Sequence, residues 1–320
     1  MTVCIAVLFK WNYSAKEGQP DWRTAALTAS DRMLTAGDVQ YEPNQQKMAE
    51  FGKSIVLVAG DMQLHMEAIA LTTKEIGSRE LPPQNVAQIY GRAIQAINRR
   101  RAENEILAPL GLNLDTFAAQ LKDYPDGFIN MIVGQLQNRR PIDAEALVVG
   151  TDGQDTHLYL VDEHGNDFNL DGVGFGAIGI GAWHAKSRLM QISYNSRNVF
   201  AWAQASIYAA KKIAELAPGV GKYTDLHLVH RMGHELVLPL AIRKLEELYG
   251  KYTGKTDELA RQMIEELQNF MDDPRNWREV VNDERQSEQR SQAGVGASAA
   301  TPEAARGNEA GSESPPRSKS

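Results

Sequence analysis

The second residue of the chain, Thr2, is the first candidate for chemistry because it follows Met1 directly. Methionine aminopeptidases remove an initiator methionine when a small residue follows it, and threonine is small enough. The mature chain would then begin at Thr2, which would carry a hydroxyl nucleophile and a free α-amine that can act as its base. An unperturbed α-amine has a pKa of about 7.7 to 8.0, so part of it is neutral at working pH. This terminus therefore predicts nucleophilic hydrolysis.

The residues after Thr2 also fit an interpretation without chemistry. The apolar run from Val3 to Phe9 predicts a buried strand, and many cytosolic proteins begin with Met-Thr and a strand by chance. The run is too short for a secretory signal before Lys10 and Trp11 follow, so we expect a strand of the mature protein. Support for catalysis has to come from residues further along the chain.

The composition is that of an ordinary globular protein. The chain has 320 residues, 42% of them hydrophobic and 23% charged, and this length allows one large core or two modest ones. The formal net charge of −7 argues against a nucleic-acid partner, and the dense basic run at 98–101 is typical of a helix surface. A single cysteine, Cys4, excludes an intrachain disulfide and a Cys-rich zinc site and fits the cytoplasm. No apolar segment reaches membrane-spanning length, and we expect neither a cofactor nor a metal.

Strands dominate the first part of the chain. Thr24 to Asp31 predicts a strand that ends in an acid, and Lys47 begins a run that leads into a third strand, Ser54 to Gly60. Between the first two strands, Trp11 to Arg23 is rich in Gly, Pro, Asn and charged residues, which predicts a long surface loop.

Helices follow, and strands return later in pairs. Asp61 is placed to cap a helix that runs up to Gly77. The glycine-rich run 172–181 has spacings seen in dinucleotide sites, but predicted antiparallel hairpins precede it, which favours close backbone packing at a strand-to-helix corner. Segregated blocks of strands and helices are typical of an α+β fold. The other predicted helices are 83–101, 114–131 with an interruption near 124–127, 199–216 and 241–249, and the other predicted strands are 33–36, 144–151, 157–161, 225–230 and 235–239.

The end of the chain has a different composition. Residues 257–271 and 277–284 predict helices, so we assign 251–285 to a C-terminal helical extension. Residues 286–320 are mostly Ser, Ala, Gly, Pro, Glu and Arg, and this composition cannot offset the entropy of ordering. We expect a disordered tail there.

Several stretches together resemble the 20S proteasome β-subunits, a family that includes simpler bacterial proteasome-like peptidases. The resemblance spans residues 1–250 and implies a four-layer αββα sandwich, the α+β fold of the N-terminal nucleophile (Ntn) hydrolases. The stretches that carry it are Thr2-Val3-Cys4-Ile5-Ala6-Val7, Ala29-Ser30-Asp31-Arg32, Lys47, Val58-Ala59-Gly60 and Ile178-Gly179-Ile180-Gly181.

The resemblance implies a role for each of four residues. Thr2 becomes the nucleophile, with its own amine as base, and the Lys47 cation lowers the pKa of that amine. Asp31 pairs with Lys47 and orients it. Gly60 offers a backbone N–H to the oxyanion, a donor typically worth about 3 kcal/mol of barrier. The alternative for Asp31 and Lys47 is a plain ion pair at the end of a sheet.

The sequence departs from the family at three supporting positions. The family usually has a serine where Ile180 aligns, and an aspartate and a serine where Ala217 and Val220 align. These groups support the terminal amine. Glu215 is a candidate replacement if the loop is shifted, whereas His184 is more typical of a surface residue at a helix N-terminus.

The resemblance implies a threonine-type peptidase that hydrolyses peptide or amide bonds of a peptide or protein substrate inside a homo-oligomeric ring. An ATP-driven unfoldase would be a separate chain, because the sequence has no Walker-type phosphate loop. Two alternatives remain open on the same fold. One is a non-catalytic scaffold or assembly subunit, and the other is a hydrolase of small amides.

Overall fold

The computed structural model of the protein describes residues 2–13, 20–36, 39–41 and 47–271. The chain divides after Lys251. The first unit contains every strand of the described residues, and the second begins at Tyr252, from which the described residues are helical through Met271. The predicted helix 277–284 and the predicted tail 286–320 lie outside the described residues.

The described residues form twelve strands and seven α-helices. The strands are β1 (Cys4–Asn12), β2 (Trp22–Ser30), β3 (Leu34–Ala36), β4 (Val39–Tyr41), β5 (Met48–Phe51), β6 (Ser54–Gly60), β7 (Ala144–Thr151), β8 (Thr156–Val161), β9 (Asp167–Asn169), β10 (Phe175–Ile178), β11 (Asp225–His230) and β12 (Gly233–Leu236). The helices are α1 (Met62–Ile76), α2 (Pro83–Ala102), α3 (Leu114–Ala119), α4 (Asp126–Asn138), α5 (Ala182–Gln191), α6 (Phe200–Ala214) and α7 (Pro239–Met271). Short π- and 3₁₀-helical turns cover Glu103–Leu107, Ala108–Leu110 and Leu121–Asp123.

Two five-stranded antiparallel sheets make up the centre of the first unit. The first sheet has the order β10-β1-β2-β11-β12 and the second has the order β5-β6-β7-β8-β9, while β3 and β4 form a separate two-stranded sheet. Each sheet buries both faces, so its central strands are apolar at nearly every position.

Alternation along β1 shows why the run after Thr2 is continuously apolar. Its odd-numbered side chains pack on α5 and α6, and its even-numbered side chains pack on the second sheet. In β6 the even-numbered side chains face α1 and α2 instead, and the odd-numbered ones face the first sheet. The layers are therefore helix, sheet, sheet and helix. The predicted four-layer αββα fold is confirmed.

Local sequence signals set several element ends. Asp61 accepts a hydrogen bond from the Leu64 N–H at 2.7 Å and caps α1, as predicted, and the helix ends at Gly77 with φ of 59°. The predicted interruption near 124–127 is also present, because Pro125 separates the turn after α3 from α4. No helix within the described ranges has both the length and the apolarity needed to cross a membrane.

The prediction of a loop from Trp11 to Arg23 is wrong at both ends. Trp11 belongs to β1 and pairs with Arg23 of β2, and the ladder continues to the pair Asn12 and Trp22. The Trp11 ring makes an edge contact with the ring of Phe200 in α6, with ring centroids 4.8 Å apart, so aromatic packing extends the hairpin into a stretch whose composition indicates a loop. Residues 14–19 of this segment lie outside the described residues.

The predicted helices 241–249 and 257–271 are one helix, α7. Gly250 and Gly254 lie inside it, and neither has a positive φ. An isolated glycine costs a helix about 1 kcal/mol relative to alanine. The Leu-, Glu- and Lys-rich sequence on both sides outweighs that cost.

Candidate active site

Thr2, Asp31 and Lys47 meet in one buried cluster. The Thr2 hydroxyl donates to Asp31 Oδ1, and Lys47 Nζ lies 2.6 Å from Thr2 Oγ1 and 3.1 Å from Asp31 Oδ1. The exposed fractions are 4% for Thr2, 0% for Asp31 and 4% for Lys47. A hydroxyl, a carboxylate and an ammonium therefore share one site with little access to water.

The ends of three strands position these side chains. Cys4 pairs with Ser30, so the start of β1 lies beside the end of β2, and the Asp31 N–H donates to the Val3 carbonyl oxygen at 3.2 Å. Lys47 immediately precedes β5, and its carbonyl oxygen accepts from the Val58 N–H at 3.2 Å. The sheet edges thus bring together residues that are 29 and 45 positions from Thr2.

Asp31 is the centre of the hydrogen bonding. Both of its oxygens accept, which suits an ionised carboxylate because that group has acceptors and no donor. The donors to Oδ1 are Thr2 Oγ1, the Val3 N–H at 3.0 Å and Lys47 Nζ, and the donors to Oδ2 are the Met33 N–H at 3.2 Å and the Gly221 N–H at 2.8 Å.

The glycine-rich corner between β10 and α5 holds the backbone of Thr2. Gly179 has φ of +83°, and a Cβ there would lie 2.5 Å from the Thr2 carbonyl oxygen. The Gly181 N–H donates to the same oxygen at 3.3 Å. Glycine is needed at 179 because its backbone packs directly against Thr2.

The local backbone packing also requires a glycine at position 60. It ends β6 with φ of +105°, and a Cβ there would lie 2.2 Å from the Asp143 carbonyl oxygen. Gly60 belongs to the second sheet, which packs on β1 where Cys4 Sγ lies 3.4 Å from the Val58 carbonyl oxygen. The hydrogen bonds of the cluster around Thr2 do not include Gly60.

Cys4 lies two residues from Thr2 and is the other conceivable nucleophile. Burial, reinforced by the negative charge of Asp31, raises the pKa of the Cys4 thiol to about 12. The thiolate is the reactive form of cysteine. Cys4 is therefore mostly a neutral thiol at neutral pH, which leaves the Thr2 hydroxyl as the candidate nucleophile of this cluster.

The three departures from the family pattern offer no polar side chain. Ile180 is half exposed at the glycine corner, and Ala217 and Val220 pack into the core of the first sheet and its helices. His184 lies in the first turn of α5 and is partly exposed.

Lys211 is a residue near the site that the sequence analysis missed. It is fully buried in the last turn of α6, and its Nζ donates to Glu215 Oε1 and to the Gly221 carbonyl oxygen, both at 2.8 Å. Burial lowers the pKa of Lys211, and the carboxylate of Glu215 opposes that shift most strongly. The helical spacing indicates that Lys211 is buried, because it follows Ile207 by four positions and both lie on the buried face of α6.

A cleft of about 450 Å³ lies beside the cluster. Arg32 and Lys222, the residues that follow Asp31 and Gly221, line it, and Arg32 is paired there with Asp225 at 2.5 and 2.7 Å. Thr2 does not line this cleft. In the described part of the chain, no group of three or more His, Cys, Asp or Glu side chains converges to hold a metal ion.

The fold is similar to that of Anbu, the ancestral beta-subunit, from Yersinia bercovieri. The TM-score is 0.53 with 13% sequence identity, and the match covers 81% of this chain and 97% of that chain. Neither a protein-family model nor a curated protein matches the sequence. At this identity the likeness concerns the fold, which is proteasome-like. The roles of Thr2, Asp31, Lys47 and Gly60 remain predictions.

Proposed function

We propose that the protein is a threonine-type hydrolase of peptide or amide bonds whose nucleophile is Thr2 after removal of Met1. The observation that carries this proposal is the contact of the Thr2 hydroxyl with both Lys47 and Asp31. An ion pair that served only the fold would not need a third polar group. Here the ammonium lies nearer to the hydroxyl oxygen than to the carboxylate, at 2.6 Å against 3.1 Å.

The proposed reaction uses the hydroxyl and the α-amine of Thr2 together with the ammonium of Lys47. The neutral α-amine of Thr2 takes the hydroxyl proton while Oγ1 attacks the substrate carbonyl carbon. The resulting ammonium then gives the proton to the leaving amine, and an ester between Thr2 and the acyl group remains. Water, deprotonated by the same amine, hydrolyses the ester and restores the hydroxyl. The Lys47 cation stabilises the negative charge that develops on Oγ1 and lowers the pKa of the amine.

Two further residues have supporting roles in the proposal. Asp31 orients Lys47 and, through the Val3 N–H, the start of β1. Gly60 is assigned the N–H that would donate to the oxyanion, as the resemblance implies. Unlike the buried cluster, Gly60 is exposed at the end of β6, so a substrate can reach it.

Assembly is part of the proposal. A solved structure of the same fold is described as an ancestral beta-subunit, and a subunit implies a larger assembly. We expect a homo-oligomeric ring that encloses Thr2 and acts on peptide or protein substrates, with any ATPase unfoldase as a separate chain. Sedimentation of the full chain should show a large oligomer that persists after deletion of residues 286–320. A stable monomer at micromolar concentration contradicts the ring.

The second candidate function is a non-catalytic assembly subunit. Two observations favour it. Thr2 is almost completely buried in the full-length chain, and Ile180, Ala217 and Val220 lack the polar groups that the family uses to support the amine.

Mass spectrometry separates the two functions. The hydrolase predicts an intact mass without Met1 and a covalent adduct at Thr2 after treatment with an inhibitor directed at N-terminal threonine. Cys4→Ser is the matched control, since it removes the neighbouring thiol and should be labelled like the unaltered protein. Retention of Met1, or an adduct that disappears with Cys4→Ser, would favour the assembly subunit.

A further inference from the structure

Two adjacent lysines near the C-terminus of α6 form ion pairs with the same carboxylate but differ in their burial and in their other contacts. Lys211 and Lys212 lie 2.8 and 3.2 Å from Glu215 Oε1. The Lys211 side chain is 0% exposed, whereas that of Lys212 is 19% exposed. Lys211 alone of the two also donates to the Gly221 carbonyl oxygen.

Gly221 connects Lys211 to the candidate active site. Its carbonyl oxygen accepts from Lys211 Nζ at 2.8 Å, and its N–H donates to Asp31 Oδ2 at 2.8 Å. Both backbone groups of Gly221 are therefore fixed. Because Oδ2 is held from this side, Oδ1 is directed to the Thr2 hydroxyl and Lys47.

We infer that Lys211, held by Glu215, is a positioning residue for the reaction at Thr2. It fixes the turn that orients Asp31, and its ammonium adds a second positive charge behind the site. The inference rests on the proposed function. It also accounts for the apolar residues at 217 and 220, because support for the site comes from the helix before this loop instead of from the loop's own side chains.

A structural role alone does not require a lysine at this place. Burying an ammonium is costly, and a hydrophobic residue of similar volume is often neutral or stabilising in its place. The charged groups that act on Lys211 are Glu215 at the C-cap of α6, Lys212 on α6 and Asp31 after β2. Asp31 in turn pairs with Lys47, which precedes β5. Two cations thus flank Asp31 from different elements.

Lys211→Met and Lys212→Met, each made in the full chain, form a matched pair. Both remove a partner of Glu215, but Lys211→Met also releases Gly221. We expect Lys211→Met to lower kcat/KM for peptide hydrolysis by roughly 100-fold, the size of a small misplacement at the reacting centre. The acidic limb of its pH profile should move to higher pH, because the Thr2 amine loses a nearby cation and its pKa rises. Lys212→Met should keep the profile of the unaltered protein.

Lys211→Gln covers the case in which Lys211→Met does not fold. Its side-chain amide can still donate to Gly221, so we expect a smaller loss of rate with the same upward shift of the acidic limb. Lys211→Arg, which keeps the charge, should restore the position of the limb. If Lys211→Met or Lys211→Gln has the pH profile of Lys212→Met, the inference is wrong while the proposed function stands. If the unaltered protein hydrolyses no peptide and is not labelled at Thr2, the proposed function itself is wrong.

Discussion

The two halves of the sandwich bury different kinds of polar residue. Among the described residues, the first sheet and its helices bury three ionisable residues that form ion pairs, Asp31, Lys211 and Asp225. The second sheet contributes one, Lys47, which precedes β5 and reaches Asp31 of the first sheet. The other buried polar side chains described in the second sheet and its helices are hydroxyls and one histidine, His65. Both halves have a full apolar core.

This difference distinguishes the half that holds most of the candidate site from the half that supports the fold. Charges are expensive to remove from water, and each one in the first half has a specific partner. Apart from Lys47, which reaches across to Asp31, the second half buries no ion-paired charge among its described residues, so its apolar packing sets stability. Substitutions of the buried charged residues around Asp31 should therefore change activity, and substitutions in the apolar core of the second half should change the free energy of unfolding.

Thr2→Ala should produce the largest effect. It removes the hydroxyl and still permits removal of Met1, so turnover should fall by about 10⁴-fold or more while the protein stays folded and assembled. Thr2→Ser keeps the hydroxyl and the amine and should retain measurable activity. Peptide hydrolysis by the two purified variants checks this, and equal rates for Thr2→Ala and the unaltered protein would sink the proposed nucleophile.

Lys47→Ala should have the next largest effect and lower turnover by about 10³-fold. The remaining pH optimum should move upward, because the Thr2 amine loses the cation that lowers its pKa. The fold should survive, since Asp31 keeps its other four donors.

Lys53→Ala is the control for Lys47→Ala. Lys53 also forms an ion pair, with Glu80 at 3.3 Å, but its side chain is well exposed and lies in the second half. Its loss should leave turnover unchanged, because exposed pairs contribute little. If Lys47→Ala unfolds the protein, Lys47 and Asp31 form a structural ion pair and the comparison between the halves loses its basis.

Ile94→Ala tests the second half. Ile94 is fully buried in α2, and truncation there should lower the free energy of unfolding by about 3 kcal/mol. Turnover per folded molecule should not change. Urea unfolding followed by activity measurement of the folded fraction checks both statements, and a turnover as low as that of Thr2→Ala would show that the halves are not separable.

His65 predicts the smallest effect, a pH dependence of stability. Its Nε2 lies 2.8 Å from the Ala59 carbonyl oxygen and must donate, so Nδ1 accepts from the Tyr90 hydroxyl at 2.8 Å when the ring is neutral. Burial lowers the pKa of His65 below its unfolded value. The unfolded chain therefore binds more protons as pH falls below about 6.5, and the stability contributed by neutral His65 is lost in that direction.

His65→Gln is the variant that isolates this contribution. Urea unfolding should be measured from about pH 7 to about pH 5, a range that spans the normal histidine pKa. The free energy of unfolding should fall less steeply for His65→Gln than for the unaltered chain. Some dependence should persist, because burial also lowers the pKa of His227 in the first half. Identical slopes would mean that His65 accepts a proton in the folded protein without penalty.

The sequence itself predicts many strands and helices well because their signals are local, whereas the four-layer arrangement was predicted from the family resemblance. A strand apolar on both faces, an aspartate before a helix and a proline between helices each act within a few residues, as β1, Asp61 and Pro125 show. The hairpin end at Trp11 was missed because its ring packs on Phe200, a contact between residues that are distant in the sequence.

The candidate site was predictable in its members but not in its geometry. Thr2 and Asp31 each lie at the end of a recognisable strand, yet the 2.6 Å approach of Lys47 to the hydroxyl depends on how two sheets stack. Lys211 was missed because a lysine four residues before a glutamate is typical of an exposed helix pair. Its hydrogen bond to Gly221 depends on the turn after the helix, which this local pattern does not reveal.

The absent side chain of Gly179 has a genetic consequence. Even a methyl group there would overlap the carbonyl oxygen of Thr2, and φ of +83° disfavours every other residue type as well. Codon 179 should therefore tolerate almost no missense change in a selection for activity, although its product contributes no reacting atom. The proposed nucleophile is thus specified by two distant codons, one that encodes its hydroxyl and one that leaves room for its backbone.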